Sequence, residues 1–479
     1  MIIEEQDERD AAFAPENRSA EPPASPEVPL AVIERESHGS LHRAVWMLAW
    51  PSVVTMLLQT LNSFLDRFFV GSLGPDTLAA VGSGGMLMFM LFSVGMSISI
   101  GATALVARFT GAGERDEASM AANQSLWIAG VASIACIALM WPLRSVLVTL
   151  LGVDAHAHQL CIQYITIALI GVPALFLMLI LGGVFRGLGD TLTPLYVMIG
   201  INVIHLGGDY LLIFGHNGFP RLGLAGGAIA LVSSQVIGAL LYLLALRKSV
   251  LPGVLSRARR PHWDWAQRIL RIGVPAALQN LSRVVSMLAF TGVLARTGDG
   301  TAAVAALTIG LTSESIAFMP GFAFSTAAGT LTGQNLGAKN PDRAERAAWV
   351  ALQQGLAIMI VMGAVFYAFA LQFAHIFTHD PAVVRLTVAY LRISALSEPF
   401  LAFGMILTGA LNGAGDTKAP AWASIITMWA IRLPLAYCAA HLWGFGAVGA
   451  WWAMASSTIA GGIAAYTLFK WGRWKKVRV

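Results

Sequence analysis

The sequence predicts an all-α membrane protein with twelve transmembrane helices, arranged as two parallel-repeat lobes of six helices each. Three observations favour this class: 56% of the 479 residues are hydrophobic, only 12% are charged, and the mean hydropathy is +0.68. Because a soluble domain carries roughly 25% charged residues, the composition excludes a soluble enzyme. One span needs about 20 apolar residues, so a chain of this length holds on the order of twelve.

The apolar segments begin near Leu41 and are separated by glycine, proline and charged residues. The 48 glycines fit this reading, since small residues let transmembrane helices approach closely. We predict spans at residues 44–71, 79–107, 121–141, 158–185, 191–215, 223–246, 267–295, 302–331, 347–372, 384–411, 417–441 and 445–470.

The charged residues divide the chain into regions. Residues 1–40 are predicted to form a disordered cytoplasmic tail, because they are acidic and proline-rich. The predicted lobes are residues 41–248 and 267–472, joined by a basic cytoplasmic linker at 249–266 and followed by a basic tail at 473–479. Lys and Arg concentrate in the loops on one side of the predicted membrane, which places both termini in the cytoplasm. We expect a monomer in the cell membrane, the inner membrane if the source is bacterial.

An internal repeat relates the two halves. The segment GLGDT at 187–191 recurs as GAGDT at 413–417, an offset of 226 residues (413 minus 187). Six spans return a chain to its starting side, so the second copy keeps the orientation of the first and the halves enclose a cavity near the membrane midplane. Each motif is predicted to be an interhelical turn. Other pairs are Gly111 with Gly337 and Tyr164 with Tyr390 at 226, and Pro51 with Pro275 at 224.

Three segments in register carry a family resemblance: WPSVVTMLLQTLNSFLDRFFVGSLGPDTLAAVG at 50–82, FRGLGDTLTPLYVMIGINVIHLGGDYLLIFG at 185–215, and PGFAFSTAAGTLTGQNLGAKNPDRA at 320–344. From about residue 44 to 470 the chain resembles the multidrug and toxic compound extrusion (MATE) transporters. The resemblance implies twelve helices in two lobes and export of organic, often cationic, compounds against an inward flow of protons or sodium ions. The acids of the first lobe are most similar to those of the DNA-damage-inducible protein F branch, which implies proton coupling through Asp66.

Polar residues inside the predicted spans form two stripes in the first lobe. Inserting a charged side chain at the bilayer centre costs about 2.5–3.5 kcal/mol on insertion scales. A charged residue inside a span therefore indicates a partner or a function. Steps of three and four residues put the members of each stripe on one helical face, which must line a cavity or a neighbouring helix. The stripes are Gln59, Asn62 and Asp66 in the first span, and Asn202, His205 and Asp209 in the fifth.

The repeat provides a control for this acidic cluster. Carried forward by the repeat offsets, Asp66 and Asp209 become Phe290 and Leu435, so the second half has apolar residues at these places. We therefore predict a specialised ion-coupling site formed by Asp66, Asp209, Asn202 and His205, in which desolvation and mutual repulsion of the carboxylates favour binding of a proton. The alternatives are that Asp66 pairs with Arg67 near the outer interface, and that His205 is a structural hydrogen-bonding residue.

A substrate cavity is predicted from both lobes. In the seventh span, residues at steps of four and three share a face that can project into the cavity. Glu398 precedes Pro399, which leaves a backbone carbonyl free; pairing of Glu398 with Arg432 or Arg392 remains an alternative. The predicted cavity residues are Gln59, Asn62, Gln279, Arg283, Ser286 and Glu398.

The predicted function is a secondary active antiporter that exports organic, cationic compounds by alternating access, coupled to proton influx. The alternatives are sodium coupling and a flippase for lipid-linked or polysaccharide substrates, which a strongly basic central cavity would favour. The sequence contains no H-E-x-x-H pair or other catalytic arrangement, so no enzyme is expected. We also expect no cofactor, no metal site and no nucleic-acid partner, since Cys136, Cys161 and Cys438 lack metal-ligand spacing and the positive-inside pattern explains the basic residues.

Overall fold

The computed structural model describes residues 41–150, 152, 154–249, 251, 253–256 and 260–477. The predicted tail at 1–40 and part of the predicted linker lie outside these residues. The described part is helical throughout, with no strand. Its long helices are span 1 (Leu41–Gly71), span 2 (Pro75–Gly111), span 3 (Arg115–Leu150), span 4 (Ala155–Ile170 and Val172–Leu188), span 5 (Leu192–Phe214), span 6 (Leu224–Arg247), span 7 (Trp263–Ala295), span 8 (Gly300–Gly337), span 9 (Pro341–Ala368), span 10 (Pro381–Gly413), span 11 (Lys418–Leu442) and span 12 (Gly446–Trp471).

The number of spans agrees with the predicted fold class. Within the described residues, ten of these helices are long and apolar enough to cross a membrane, and the two helices of span 4 together add an eleventh. Span 12 is less apolar because it contains four glycines and three tryptophans, but its 26 residues reach about 39 Å at 1.5 Å per residue. It packs along span 10. The twelve-helix, two-lobe prediction is confirmed.

Spans 4 and 11 depart most clearly from the continuous helices that the sequence predicts. Span 4 bends by 53° where Ala155–Ile170 meets Val172–Leu188, because Gly171 lies at the junction and Pro173 begins the second helix, where a proline cannot donate a backbone hydrogen bond. Span 11 contains two π-helical segments, Thr427–Arg432 and Cys438–Leu442. Such segments change which way the following side chains point and occur often at functional sites.

The two halves repeat each other in three dimensions. Ser99 Oγ donates to Leu179 O at 2.7 Å in the first lobe, and Ser325 Oγ donates to Met405 O at 2.8 Å in the second. Both residues of each pair are 226 positions from their counterparts, so spans 2 and 4 pack as spans 8 and 10 do. The Gly-Asp-Thr turns also match, since Gly189 and Gly415 both have a φ of 85°. These contacts confirm the parallel repeat.

The lobes meet closely at the face that the charge pattern assigns to the cytoplasm. A Cβ atom added to Gly111 at the end of span 2 would lie 1.9 Å from Gln334 O, and one added to Gly337 at the end of span 8 would lie 1.9 Å from Arg108 O. Gln334 Nε2 also donates to Gly187 O at 3.0 Å. We call the contact of Arg108 and Gly111 with Gln334 and Gly337 the inter-lobe seam.

Spans 1 and 7 each connect the two lobes. The first turns of span 1 lie in the core of the second lobe, where Val45 and Leu48 are buried. The first turns of span 7 lie in the core of the first lobe, where Trp265 and Ile269 are buried. The later part of span 1 packs on span 5 instead. Span 1 therefore links the seam face of the second lobe to the acidic stripe of the first.

Candidate ion-coupling site and substrate cavity

The structure brings together the ionisable residues predicted in the first lobe. The carboxylate oxygens of Asp66 and Asp209 and a ring nitrogen of His205 all lie within 4.8 Å of one another. Asp209 is 0% exposed and His205 is 2% exposed, whereas Asp66 is half-buried and its neighbour Arg67 is exposed. The carboxylate of Asp66 is thus directed toward span 5, and the three residues form what we call the acidic triad.

The acidic triad is short of hydrogen-bond donors. Among the described residues, neither carboxylate oxygen of Asp209 has a hydrogen-bond partner, and the same holds for His205 Nε2. The closest approach between these groups, from His205 Nε2 to Asp209 Oδ2, is 3.6 Å, too long for a hydrogen bond. At an effective dielectric constant of about 20, two unit negative charges about 5 Å apart repel each other by roughly 3 kcal/mol. A proton or a cation shared by the two carboxylates relieves this repulsion.

The amides of the two stripes have different partners. The Asn62 side chain lies 2.9 Å from His205 Nδ1 through Nδ2 and 3.1 Å through Oδ1, so it joins span 1 to span 5. Asn202 is buried, but its Nδ2 donates to Met198 O of its own helix at 2.9 Å. Three of the four predicted ion-coupling residues therefore form the acidic triad, which has Asn62 as a hydrogen-bonding neighbour. The fourth, Asn202, is bound to its own helix.

Two residues beside the acidic triad were not predicted to belong to the site. Tyr164 of span 4 is buried and lies near enough to Asp66 and Asp209 to feel their charges. Gly227 of span 6 faces Asp209, since a Cβ atom added there would lie 3.7 Å from Asp209 Oδ1. A spacing rule within one helix does not find these residues, because they come from other spans. The repeat already marked Tyr164 through its counterpart Tyr390.

A cavity of about 500 Å³ lies in the second lobe and does not include the acidic triad. It is lined mainly by spans 7, 8, 10, 11 and 12, with Met96 and Ile100 of span 2 contributing from the first lobe. The charged groups on its wall are Arg283, Glu314 and Arg432. Its volume lies within the range of about 300–1,000 Å³ that is typical of sites for small organic ligands.

The residues predicted to line the substrate cavity do not all lie on this wall. Gln279 and Arg283 do, and Ser286 is buried one turn further along with its hydroxyl unpartnered. Gln59 is exposed on span 1 and Asn62 contacts the acidic triad. Glu398 lies outside the cavity wall and is 1% exposed, and within the described part of the chain neither of its carboxylate oxygens has a hydrogen-bond partner.

The arginines considered as partners of Glu398 have other contacts. Arg432 Nε donates to Ser457 Oγ at 2.8 Å, and Arg392 lies over the Tyr367 ring at 5.6 Å. Glu314 was not predicted as a site residue. It accepts a hydrogen bond from Tyr390 Oη at 2.5 Å, and this Tyr390 packs in the second lobe as Tyr164 does in the first.

Comparison with known proteins decides the family. The MatE family profile matches residues 51–211 and 275–438, one match in each lobe. The chain belongs to the MatE family. Membership in the MatE family makes it a multi-span membrane transporter and not an enzyme.

Named relatives in the family agree over nearly the whole length. The probable multidrug resistance protein NorM of Thermotoga maritima is 29% identical over 456 residues, which cover 93% of this chain and 95% of the relative. The FAD transporter of Shewanella oneidensis is 27% identical over 440 residues, covering 91% and 96%. A solved structure described as an outward-facing conformation of a multidrug resistance MATE family transporter superposes with a TM-score of 0.84 at 25% identity, covering 91% of this chain and 96% of that one.

Proposed function

We propose that this MatE-family protein is a secondary active antiporter that exports small organic compounds, cationic ones included, by alternating access and that proton influx drives it. The observation that carries the proposal is the acidic triad, where the buried, donor-free carboxylate of Asp209 lies beside the carboxylate of Asp66. A buried charge without a partner is costly, so this pair is suited to binding and releasing a positive charge.

The coupling follows from the position of span 1. When the acidic triad is deprotonated, its two negative charges attract a cationic substrate into the space between the lobes. Protonation from the outer side removes that charge and lets Asp66 pack against span 5, which releases the substrate outward. Since the first turns of span 1 lie in the second lobe, its movement is transmitted to the seam, and deprotonation toward the cytoplasm resets the site.

Sodium is the competing ion. Two carboxylates with the Asn62 amide nearby offer oxygen ligands, which hard cations prefer. The imidazole of His205 instead contributes a nitrogen, which can accept a proton but is not a preferred ligand of a hard cation. Together with the resemblance of this lobe to the DNA-damage-inducible protein F branch, this supports the proton as the coupling ion.

Efflux of rhodamine 6G, a cationic dye, from everted membrane vesicles tests the proposal. A proton gradient is expected to drive transport by the unmodified protein, and a sodium gradient alone is not. Asp66→Asn and Asp209→Asn should each abolish proton-driven efflux, whereas Asp76→Asn, an exposed aspartate at the start of span 2, should retain it. Proton-driven efflux at the normal rate in Asp66→Asn contradicts the proposal, and efflux that follows only the sodium gradient reassigns the ion.

A further inference from the structure

We infer that the second-lobe cavity is a binding site for the anionic group of an amphipathic organic ligand, with the guanidinium groups of Arg283 and Arg432 as its anchors. The inference deepens the proposed export function, because it names a substrate class that the acidic triad does not attract. An acid headgroup, whether carboxylate, phosphate or sulfonate, on an apolar body fits this chemistry.

The two arginines have hydrogen-bond donors available to a ligand. Arg283 has no hydrogen bond or ion pair within the described chain, and although it lies inside the protein, its side chain is exposed because it faces the cavity. Arg432 also lines the cavity; its Nε donates to Ser457 Oγ, and its terminal nitrogens have no other hydrogen bond among the described residues. A guanidinium group binds carboxylate and phosphate groups through paired hydrogen bonds.

The acidic group of the cavity does not neutralise both arginines. Glu314 is the one carboxylate on the described cavity wall, and one of its oxygens already accepts the hydroxyl of Tyr390. Glu398 is almost fully buried outside the wall, so a ligand in the cavity does not touch it. The wall therefore has two positive groups and one negative group.

The backbone of span 11 places Arg432 for this purpose. The π-helical segment Thr427–Arg432 ends at this arginine, and Thr427, Met428 and Arg432 all line the cavity. A regular α-helix has 3.6 residues per turn, so the wider turn alters which residues share the cavity face. The rest of the wall suits an apolar ligand body, with Phe318, Phe322, Met405 and Met454 among its members.

The repeat shows that this charge pattern is specific to the second lobe. Moved back by the repeat offsets, Arg283, Glu314 and Arg432 become Gln59, Met88 and Leu206, which carry no charge. The first lobe in turn has the acidic triad where the second has apolar residues. The same scaffold thus presents carboxylates in one lobe and guanidinium groups in the other.

Two xanthene dyes of opposite charge test the inference. Fluorescein carries a carboxylate, and rhodamine 6G is a cationic ester of the same ring system. Binding to the purified full-length protein in phosphatidylcholine nanodiscs is measured at pH 8 by fluorescence anisotropy, with no ion gradient. Fluorescein should bind the unmodified protein, and Arg283→Gln and Arg432→Gln should each weaken it on the order of tenfold or more, since each loses charge-assisted hydrogen bonds.

Three further variants separate charge recognition from a structural effect. Glu314→Gln should strengthen fluorescein binding, because it removes the negative group on the wall. Arg283→Lys should lose less affinity than Arg283→Gln, because it keeps the charge. Arg296→Gln, an exposed arginine just after span 7, should leave affinity unchanged. Equal losses of fluorescein and rhodamine 6G binding in Arg283→Gln, or unchanged fluorescein affinity in both glutamine variants, overturn the inference.

A second comparison identifies the source of the anion. If the natural occupant is an anionic lipid, nanodiscs containing phosphatidylglycerol should compete with fluorescein in the unmodified protein and not in Arg283→Gln. If it is a soluble organic acid, phosphatidylglycerol should not compete. Asp66→Asn should bind fluorescein normally while losing proton-driven efflux, so failure of the coupling proposal and failure of this inference give different results.

Discussion

Gly111 and Gly337, which are counterparts in the internal repeat, lie against each other's helices at the seam. The added Cβ of each would come within 1.9 Å of a backbone oxygen, that of Gln334 for Gly111 and that of Arg108 for Gly337. Arg108 and Gln334 are themselves counterparts, so the contact is reciprocal. This is the pattern expected at a pseudo-two-fold axis along the membrane normal.

The first prediction concerns this seam. Gly111→Ala should push spans 2 and 8 apart, because a backbone oxygen cannot move aside as a side chain can. We expect the free energy of unfolding to fall by about 1–3 kcal/mol, because the added methyl group overpacks the seam. A cysteine introduced at Ala338 should also become more reactive toward a membrane-impermeant maleimide added to everted vesicles. Gly85→Ala is the matched control, since Gly85 has nothing within 4 Å of an added Cβ atom. Equal labelling in the two variants would show that the seam tolerates a methyl group.

The second prediction compares the side-chain amides of Asn62, which is half-buried, and Asn202, which is buried. Asn62→Ala removes the described partner of His205 Nδ1, a nitrogen that is buried between spans 1 and 5. This substitution should lower the free energy of unfolding by about 1–3 kcal/mol. Asn202→Ala breaks only a bond to its own helix at Met198 O and should cost less. Thermal unfolding in detergent, read together with proton-driven dye efflux, checks the order. A larger effect of Asn202→Ala on efflux alone would indicate that Asn202 binds the ion or the substrate directly.

The third prediction tests the support of Glu314. Tyr390→Phe leaves a carboxylate oxygen of Glu314 without the hydroxyl that it accepts, and should lower stability by about 1–3 kcal/mol. The ring itself should stay in place, because Tyr390 packs edge-on against Trp451 with centroids 5.1 Å apart. Tyr437→Phe, at an exposed tyrosine of span 11, is the control. If both variants unfold at the same temperature as the unmodified protein, the bond to Glu314 does not contribute to stability.

The fourth prediction compares two contacts that anchor the last described residues, the packing of Trp474 and the ion pair of Lys475. Trp474 is 0% exposed, stacks on Phe469 at 4.8 Å and donates to Phe469 O at 2.8 Å. Lys475 Nζ lies 2.6 Å from Glu345 Oε2. Trp474→Ala should cost about 3–5 kcal/mol, while Lys475→Gln should cost about 1 kcal/mol or less, as ion pairs near water usually do. Comparable losses in the two variants would mean that the ion pair is the main anchor.

The ion pair also has a predictable pH dependence. The hydrogen bond that Lys475 donates to Glu345 raises the pKa of Lys475 above its usual 10.5. Its contribution to stability should therefore be complete at neutral pH and be lost as the pH rises through this raised value. Unfolding curves of the unmodified protein and Lys475→Gln at neutral and strongly alkaline pH should converge at the alkaline end.

The fold was predictable because its signals are local and repeated. Apolar segment length gave the twelve spans, and the offset between the Gly-Asp-Thr turns gave the parallel repeat, which the hydrogen bonds of Ser99 and Ser325 confirm. The bend at Gly171 and the π-helical segments of span 11 were not predicted. They depend on how a helix packs against its neighbours, which hydrophobic periodicity does not report.

The candidate site was predictable only within each helix. Steps of three and four residues placed Asp66 on one stripe and His205 and Asp209 on another, and the structure brings the two together. Tyr164 and Gly227 join them from spans 4 and 6 through tertiary packing, which a single-helix pattern cannot show. Glu314 was overlooked as a site residue because a lone acid in a span does not reveal its partner, Tyr390.

In the alternating-access cycle proposed above, the reciprocal glycine contact makes the two openings of the transporter unequal in energy. Opening the seam separates two helix ends that touch backbone to backbone and exposes their carbonyl groups, at the face that the charge pattern assigns to the cytoplasm. At the opposite face, Gly74 and Gly298 of the matching loops have no described atom within 4 Å of an added Cβ, so these two glycines make no equivalent contact. Without an ion gradient, the transporter should therefore be found mainly with its inter-lobe seam closed. Separating the seam is then the step that requires energy from the gradient.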